Sequence, residues 1–318
     1  MKTSVVVPVY NEEGNLPELL RRLSAVMDAT GEPYELVFVD DGSRDGSLAK
    51  LKEAAAARPD RVRVLELARN FGQHQAILAA FASADGDVVV TLDADLQNPP
   101  EEIPKLLAKI REGYDVVGGV RQNRQDTFLR RLASAVVNRI TVAITRMKIT
   151  DFGCMLRAYS RDVVEEINRC DESSTFIPAL GQSFARRPTE IPVAHAPRTR
   201  GESAYSLYRL VRLNFDLMTG FSLVPLQAFG LLGSIVAVGG IAFAVFLFIR
   251  RFVHGAEAEG VFTLFAILFT LLGVAMAGLG LVGEYVGRIY QQVRGRPRFR
   301  VRRVYGLPPR RDGGADER

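Results

Sequence analysis

Up to about residue 120, short runs of β-branched and aliphatic residues alternate with longer segments of helical periodicity. Ser4 to Val9, Tyr34 to Asp40, Arg61 to Leu67, Asp87 to Leu92 and Asp115 to Gly119 read as strands bounded by turn residues. Strands that alternate with helix-length segments predict an α/β architecture, a parallel sheet covered by helices. Asn15 and Pro17 mark the start of the first helix and Gly31 its end, as capping preferences require.

The pattern changes after residue 126. Phe128, Leu132, Val136, Ile140 and Ile144 recur every four residues, with Arg130, Arg131, Arg139, Arg146 and Lys148 between them. That spacing predicts a basic amphipathic helix lying in the headgroup plane of a membrane. Tyr205 to Phe221 repeats the design, with Leu207, Leu210, Val211 and Leu217 against Arg209 and Arg212. Neither Leu217 to Ile249 nor Gly260 to Gly283 contains a charged residue. A bilayer core about 30 Å thick needs roughly 20 apolar helical residues, so both runs read as membrane spans. The expected organisation is a nucleotide-binding half over 1–126, an acceptor half with interfacial helices over 127–222, a two-span hairpin over 223–287 and a basic tail over 288–318.

Charge sets the orientation. Arg288, Arg294, Arg296, Arg298, Arg300, Arg302 and Arg303 follow the second span, and the positive-inside rule places them in the cytoplasm. No secretory signal precedes the strand at Ser4, so head and tail are expected on the cytoplasmic face of a bacterial inner membrane. The net charge of +5 is concentrated at the membrane boundary, which points to anionic lipids as partners and not to nucleic acid. Cys154 and Cys170 are too few for a zinc site and read as reduced thiols. The tail alternates Phe299, Val301 and Val304 with arginines, a pattern able to add a strand to a neighbour's sheet edge in a homo-oligomer.

Candidate chemistry lies at the strand ends, where open α/β sheets collect ligands. Tyr10, Asn11 and Glu12 follow the first strand, Asp40 and Asp41 close the second, and Asp93 and Asp95 follow the fourth. No Gly-x-Gly-x-x-Gly follows the first strand, which argues against a dinucleotide dehydrogenase. Two carboxylates about 4 Å apart repel by roughly 4 kcal/mol at an effective dielectric of 20. Either one of the Asp93 and Asp95 carboxyls keeps its proton, or a divalent ion joins them, and oxygen ligands suit Mg²⁺ or Mn²⁺. His74 falls at an expected helix start and reads as a surface or capping residue.

Val7-Pro8-Val9-Tyr10-Asn11-Glu12, Val39-Asp40-Asp41-Gly42-Ser43, Arg69-Asn70-Phe71-Gly72, Asp93-Ala94-Asp95 and Arg200-Gly201-Glu202-Ser203 occur in order along the chain. The set resembles the family 2 glycosyltransferases that act on polyprenyl phosphates. Val120 to Asp126, Ser174 to Pro178 and Gly283 to Tyr290 are most similar to the undecaprenyl-phosphate 4-deoxy-4-formamido-L-arabinose transferases, which serve lipid A modification and polymyxin resistance. The resemblance implies a Rossmann-like GT-A domain and transfer of a sugar from a UDP-sugar to undecaprenyl phosphate. It implies that Pro8, Tyr10, Asn11, Glu12, Asp40 and Asp41 hold the nucleotide with Asp93, and that Asp95 and Gln97 ligate the metal beside Asp93.

By the same resemblance Asp151 takes the position often called the catalytic base, with Asp93 and Arg200 as its catalytic companions. A phosphate monoester is already mostly a dianion at neutral pH, so Asp151 is equally readable as a group that orients the acceptor or its arginine. Arg121, Arg124, Arg198, Arg200 and Ser203 are the expected acceptor-phosphate ligands, guanidinium being suited to phosphate. Relatives carry Ser-Lys-Tyr where this chain has Ser203-Ala204-Tyr205, so one expected ammonium is missing. Transfer of glucose or another hexosyl group is the alternative, and a non-enzymatic membrane scaffold that binds sugar nucleotides is the alternative of a different class. A processive polysaccharide synthase is disfavoured because its Gln-x-x-Arg-Trp motif needs a Trp and the chain has none.

Overall fold

The computed structural model describes residues 1–121, 150–151, 153–170, 176–196, 215, 219, 222–254 and 261–307. The expected interfacial helices lie outside these residues, apart from Phe215 and Thr219. So do Arg124, Arg198, Arg200 and Ser203. The described chain divides into two units, one built on a sheet and including the tail from Pro297, the other containing two long helices.

The first unit opens with β1 (Thr3–Val9), α1 (Leu16–Ala29), β2 (Tyr34–Asp40), α2 (Ser47–Ala57), β3 (Val62–Leu67), α3 (Gln73–Ser83) and β4 (Val88–Thr91). A 3-10 turn at Pro100–Glu102 leads into α4 (Ile103–Arg111) and β5 (Val116–Arg121). β6 (Arg157–Ser160), α5 (Arg161–Arg169), α6 (Ile177–Phe184) and β7 (Pro188–Val193) follow. The last strand, β8 (Val301–Gly306), comes after the long helices. All five strands expected from the sequence are present as β1 to β5, within an eight-stranded sheet of order β7-β5-β6-β4-β1-β2-β3-β8.

The five expected strands run parallel to one another, and two later strands, β6 and β8, make the sheet mixed. β1 pairs in parallel with β2 and β4, and β2 with β3. β6 slots between β4 and β5, antiparallel to both. It is four residues long, with Arg157 and Tyr159 fully buried on it, so it carries no apolar run by which a sequence would betray it. β7 holds two prolines, Pro188 and Pro192, and forms one edge of the sheet, where a missing N–H is tolerated.

The tail supplies the other edge. β8 pairs antiparallel with β3 of its own chain, so the alternation of Val301 and Val304 with arginines is used within this chain's sheet. The Tyr305 hydroxyl donates to Glu66 Oε2 at 2.7 Å and Arg302 Nη1 to Glu66 Oε1 at 3.2 Å. Exposed Arg302 and Arg303 blunt the open side of this strand.

Both faces of the central strands are covered, so β1, β2 and β3 are buried almost throughout, with Ser4, Glu35 and Arg63 among the few polar residues inside. Leu16, Leu19, Leu23 and Met27 line one stripe of α1 and join Val5, Val7, Leu36 and Phe38 in the core. α1 begins at Leu16 with Pro17 in its first turn and ends before Gly31, whose φ is +67°. Asn15 occupies the cap position but gives no side-chain capping bond. Its amide instead donates to Glu12 Oε2 at 2.6 Å.

The second unit holds α7 (Val224–His254) and α8 (Val261–Val293). Val224–Phe243 and Thr270–Val293 are long and apolar enough to cross a membrane, with mean hydropathies of 1.9 and 1.4. Their large side chains face outward, Val238, Ile241 and Phe252 among them. The Tyr285 hydroxyl of α8 donates to the Ser222 carbonyl just before α7 at 2.7 Å.

Candidate functional site

The site builds up from the carboxyl ends of β1, β2, β4 and β5. Pro8 lies beside Val39 in the β1–β2 register, and Tyr10 is exposed one residue beyond the strand. Asn11 adopts φ +55°, a left-handed conformation that asparagine tolerates because its short side chain bonds locally. Its N–H donates to Ser43 Oγ at 3.1 Å, and its Oδ1 accepts from the Arg44 N–H at 2.8 Å. The Glu12 N–H donates to Ser47 Oγ at 2.9 Å. The loop after β1 is thus stitched to the loop after β2.

Asp40 and Asp41 are both buried, yet their surroundings differ. Asp41 accepts the Phe71 and Gly72 N–H groups at 2.7 and 2.9 Å. It therefore pins the Arg69-Asn70-Phe71-Gly72 turn that starts α3. Gly42, at φ +73°, lets that turn approach, since a Cβ there would lie 2.7 Å from the Asn70 nitrogen. Asp40 accepts the Ser43 N–H at 3.3 Å through Oδ2, while its Oδ1 is buried without a hydrogen-bond partner. Burial raises both carboxyls above their ordinary range. Asp40 is thus the member of the pair with acceptor capacity to spare.

At the end of β4 the chain turns through Leu96, whose φ of +62° is costly for a branched side chain. Asp95 Oδ1 accepts the Gln97 N–H at 3.1 Å and closes this turn. Asp93 accepts from Gln73 Nε2 at 2.6 Å and from Asn98 Nδ2 at 3.4 Å. Burial first, then the charge of Asp95, pushes the Asp93 carboxyl up to about 7. Arg121 pulls it down and Glu12 pushes it up, so the ends of β1, β4 and β5 share one electrostatic neighbourhood.

Asp151 is nearly inaccessible and faces Arg121 across a two-pronged ion pair, Nε to Oδ2 at 2.7 Å and Nη2 to Oδ1 at 2.8 Å. The Gly153 N–H adds a bond to Oδ1 at 3.1 Å, and the Arg121 N–H one to Oδ2 at 3.3 Å. Burial alone would lower the Arg121 guanidinium, but the bonds and charge of Asp151 raise it above its ordinary value. Below this pair lies Arg157, fully buried, whose Nε and Nη2 donate to the carbonyls of Cys154 and Asp151 at 3.0 and 2.7 Å.

The charges of Glu12, Asp95 and Arg121 thus all act on Asp93, and Asp151 is joined to Arg121. Sequence reasoning missed Gln73, Asn98 and Arg157. The first two adjoin motifs and were open to notice there, whereas a buried arginine in a four-residue strand leaves no local signal. His74 is drawn inward, with its ring edge-on to Phe176 at 5.0 Å and its pKa pushed down to about 4 by burial. It lies in the first turn of α3, at the helix start the sequence indicates, and is partly buried. Cys154 is buried, and burial lifts its thiol to about 11, so it is unreactive at neutral pH.

Among the described residues no cluster of three or more His, Cys, Asp or Glu side chains is poised for a metal. Asp93, Asp95 and Gln97 carry the oxygen donor types that suit a hard divalent ion completed by ligand phosphates. The raised Asp93 carboxyl fits the same reading, because a cation would relieve the repulsion that burial and Asp95 impose.

Residues 4–168 match the Glycosyl transferase family 2 model. Among solved structures, the chain is similar to glucosyl-3-phosphoglycerate synthase from Mycobacterium tuberculosis in complex with phosphoglyceric acid, at 21% identity and a TM-score of 0.46 over 69% of this chain and 78% of that one. It is also similar to S. aureus TarS 1-349 in complex with UDP-GlcNAc, at 20% identity and a TM-score of 0.44 over 68% of this chain and 66% of that one.

Proposed function

The chain belongs to glycosyl transferase family 2, and from that premise we propose that it moves a sugar from a UDP-sugar to undecaprenyl phosphate at the cytoplasmic face of a bacterial inner membrane. The observation that carries this reading is the Asp93–Asp95 pair, a partly buried acidic couple with one carboxyl raised to about 7, beside the Arg121–Asp151 pair. The outward-facing apolar side chains of α7 and α8 support a lipid setting for the acceptor.

In the proposed reaction an acceptor phosphate oxygen attacks the anomeric carbon with inversion while the bond to UDP breaks and its electron pair leaves on the diphosphate. Asp95, Gln97 and Asp93 would hold Mg²⁺ or Mn²⁺. That ion supplies charge neutralisation for the leaving diphosphate. On the motif resemblance Asp40 would accept from uracil or ribose donors, while Asp41 holds the Phe71–Gly72 turn beside it. A phosphate dianion needs no base at neutral pH, and the carboxylate of Asp151 is committed to a guanidinium. Asp151 therefore serves to orient Arg121, which with Arg124, Arg198, Arg200 and Ser203 would receive the acceptor phosphate.

The proposed sugar is 4-deoxy-4-formamido-L-arabinose, for lipid A modification and polymyxin resistance, on the motif similarities of Val120 to Asp126 and Gly283 to Tyr290. The test is mass spectrometry of the lipid product formed by purified protein from a panel of UDP-sugars, UDP-glucose included. A glycosylated undecaprenyl phosphate carrying the formamido-arabinose is expected. Donor binding with no glycolipid from any sugar would overturn the reading, and full-rate product formation after exhaustive chelation would remove its metal.

A further inference from the structure

Arg157 is a fully buried arginine, and two of its nitrogens donate to main-chain oxygens. Nε holds the Cys154 carbonyl at 3.0 Å and Nη2 the Asp151 carbonyl at 2.7 Å. A guanidinium placed so deep is costly unless each contact fixes something. The contacts fix the loop that carries Asp151, whose two oxygens then meet Nε and Nη2 of Arg121.

The chain makes room for this arrangement at two glycines. A Cβ at Gly118 would lie 2.7 Å from Arg157 Nη1, and one at Gly153 would lie 2.5 Å from Arg121 Nη2. From the other side, Glu190 Oε2 accepts the Thr150 N–H at 2.9 Å and holds the loop's entry. Arg121 is thereby gripped along its Nε and Nη2 edge, and its side chain keeps 17% exposure. A guanidinium has a second edge, Nη1 and the outer hydrogen of Nη2, which suits two oxygens of a phosphate.

We propose that Arg157 is a positioning residue for glycosyl transfer, setting Asp151 so that Arg121 presents its second edge to an anionic acceptor. The inference rests on the acceptor reading above. Its test is steady-state kinetics of the full-length protein, with undecaprenyl phosphate and the UDP-sugar varied in turn. Arg157→Lys keeps the charge but offers one nitrogen in place of the two spaced ones that meet the carbonyls. Its KM for undecaprenyl phosphate should rise about tenfold, with the donor KM within about twofold of wild type. Gly118→Ala, which crowds Arg157 without altering its chemistry, and Gly153→Ala, which crowds Arg121, should shift the same constant in the same direction. If Arg157→Lys does not fold, the two alanine variants carry the test.

An unchanged acceptor KM in the variants overturns the inference while leaving the acceptor reading intact, since wild-type turnover on undecaprenyl phosphate is measured alongside. Parallel rises in both KM values with a lower melting temperature would make Arg157 a structural residue and likewise overturn it. Absence of wild-type turnover on undecaprenyl phosphate overturns both.

Discussion

The two ends of the central strands treat buried charge in opposite ways. Near the starts of β1, β2 and β3, the Arg63 guanidinium lies between carboxylates, 2.9 Å from Asp85 Oδ2 and 3.4 Å from Glu35 Oε2. Ser4 Oγ and the Asp85 N–H both donate to Glu35 Oε1, and Arg63 Nε reaches the Leu307 carbonyl. At the carboxyl ends, Asp40, Asp41 and Asp93 are raised first by burial and then by a neighbouring acid, Glu66 for Asp40, Asp40 for Asp41 and Asp95 for Asp93. With Lys2 Nζ 3.9 Å from Glu35 Oε2 and 3.8 Å from Asp85 Oδ2, two cations meet two carboxylates, so the first cluster neutralises itself and ties the sheet together, the tail included. The second remains short of positive charge, and such a shortage is what an incoming cation and its phosphates can relieve.

The contrast breaks first under substitution of the acidic end. Asp95→Asn should cut turnover roughly a hundredfold or more, with the melting temperature unchanged or higher. A stability loss equal to that of a core variant would place Asp95 with the structural charges instead. At the opposite end, Arg63→Ala strands Glu35 in the interior and should cost about 3 to 5 kcal/mol. Denaturant melts measure that loss, and the fraction that stays folded should keep its donor KM.

A smaller effect separates the two ends by pH. Asp93 holds its proton in the folded protein up to about 7 against an ordinary value of 3.8, so the folded state binds the proton more tightly than the unfolded one. Stability is then favoured at low pH and falls as pH rises between these two values. Asp93→Asn should stabilise the metal-free protein at pH 8 by on the order of 1 kcal/mol, screening considered, and the gain should fade toward pH 4. A gain independent of pH would show that Asp93 carries no such penalty. Smallest of all, Tyr305→Phe removes one bond between β8 and Glu66 and should cost about 1 kcal/mol in a thermal melt, with activity unaltered.

The residues differ in how readily a sequence shows them. The five parallel-type strands were legible because burial on both faces leaves continuous apolar runs, and Asp93 and Asp95 were legible because they interrupt one. β6 was not, since Arg157 and Tyr159 reach the interior through contacts distant along the chain. The Arg63 cluster was hidden for the same reason: its Leu307 bond spans 244 positions. For Asp40 and Asp41, sequence offered two equal residues, and only the N–H groups of Phe71 and Gly72 divided their tasks. The helix start at His74 was legible, but its contact with Phe176, far along the chain, is silent in the local pattern.

The position of β8 also has a consequence for biosynthesis. A ribosome makes residues 301–306 after both α7 and α8, so during translation the growing head lacks its last strand until the hydrophobic segments have left the exit tunnel. The backbone groups of β3 that β8 will satisfy stay open throughout that interval, a vulnerable period for self-association of nascent chains. Maturation of the head thereby becomes a late event, timed by the arrival of a strand encoded beyond the helices.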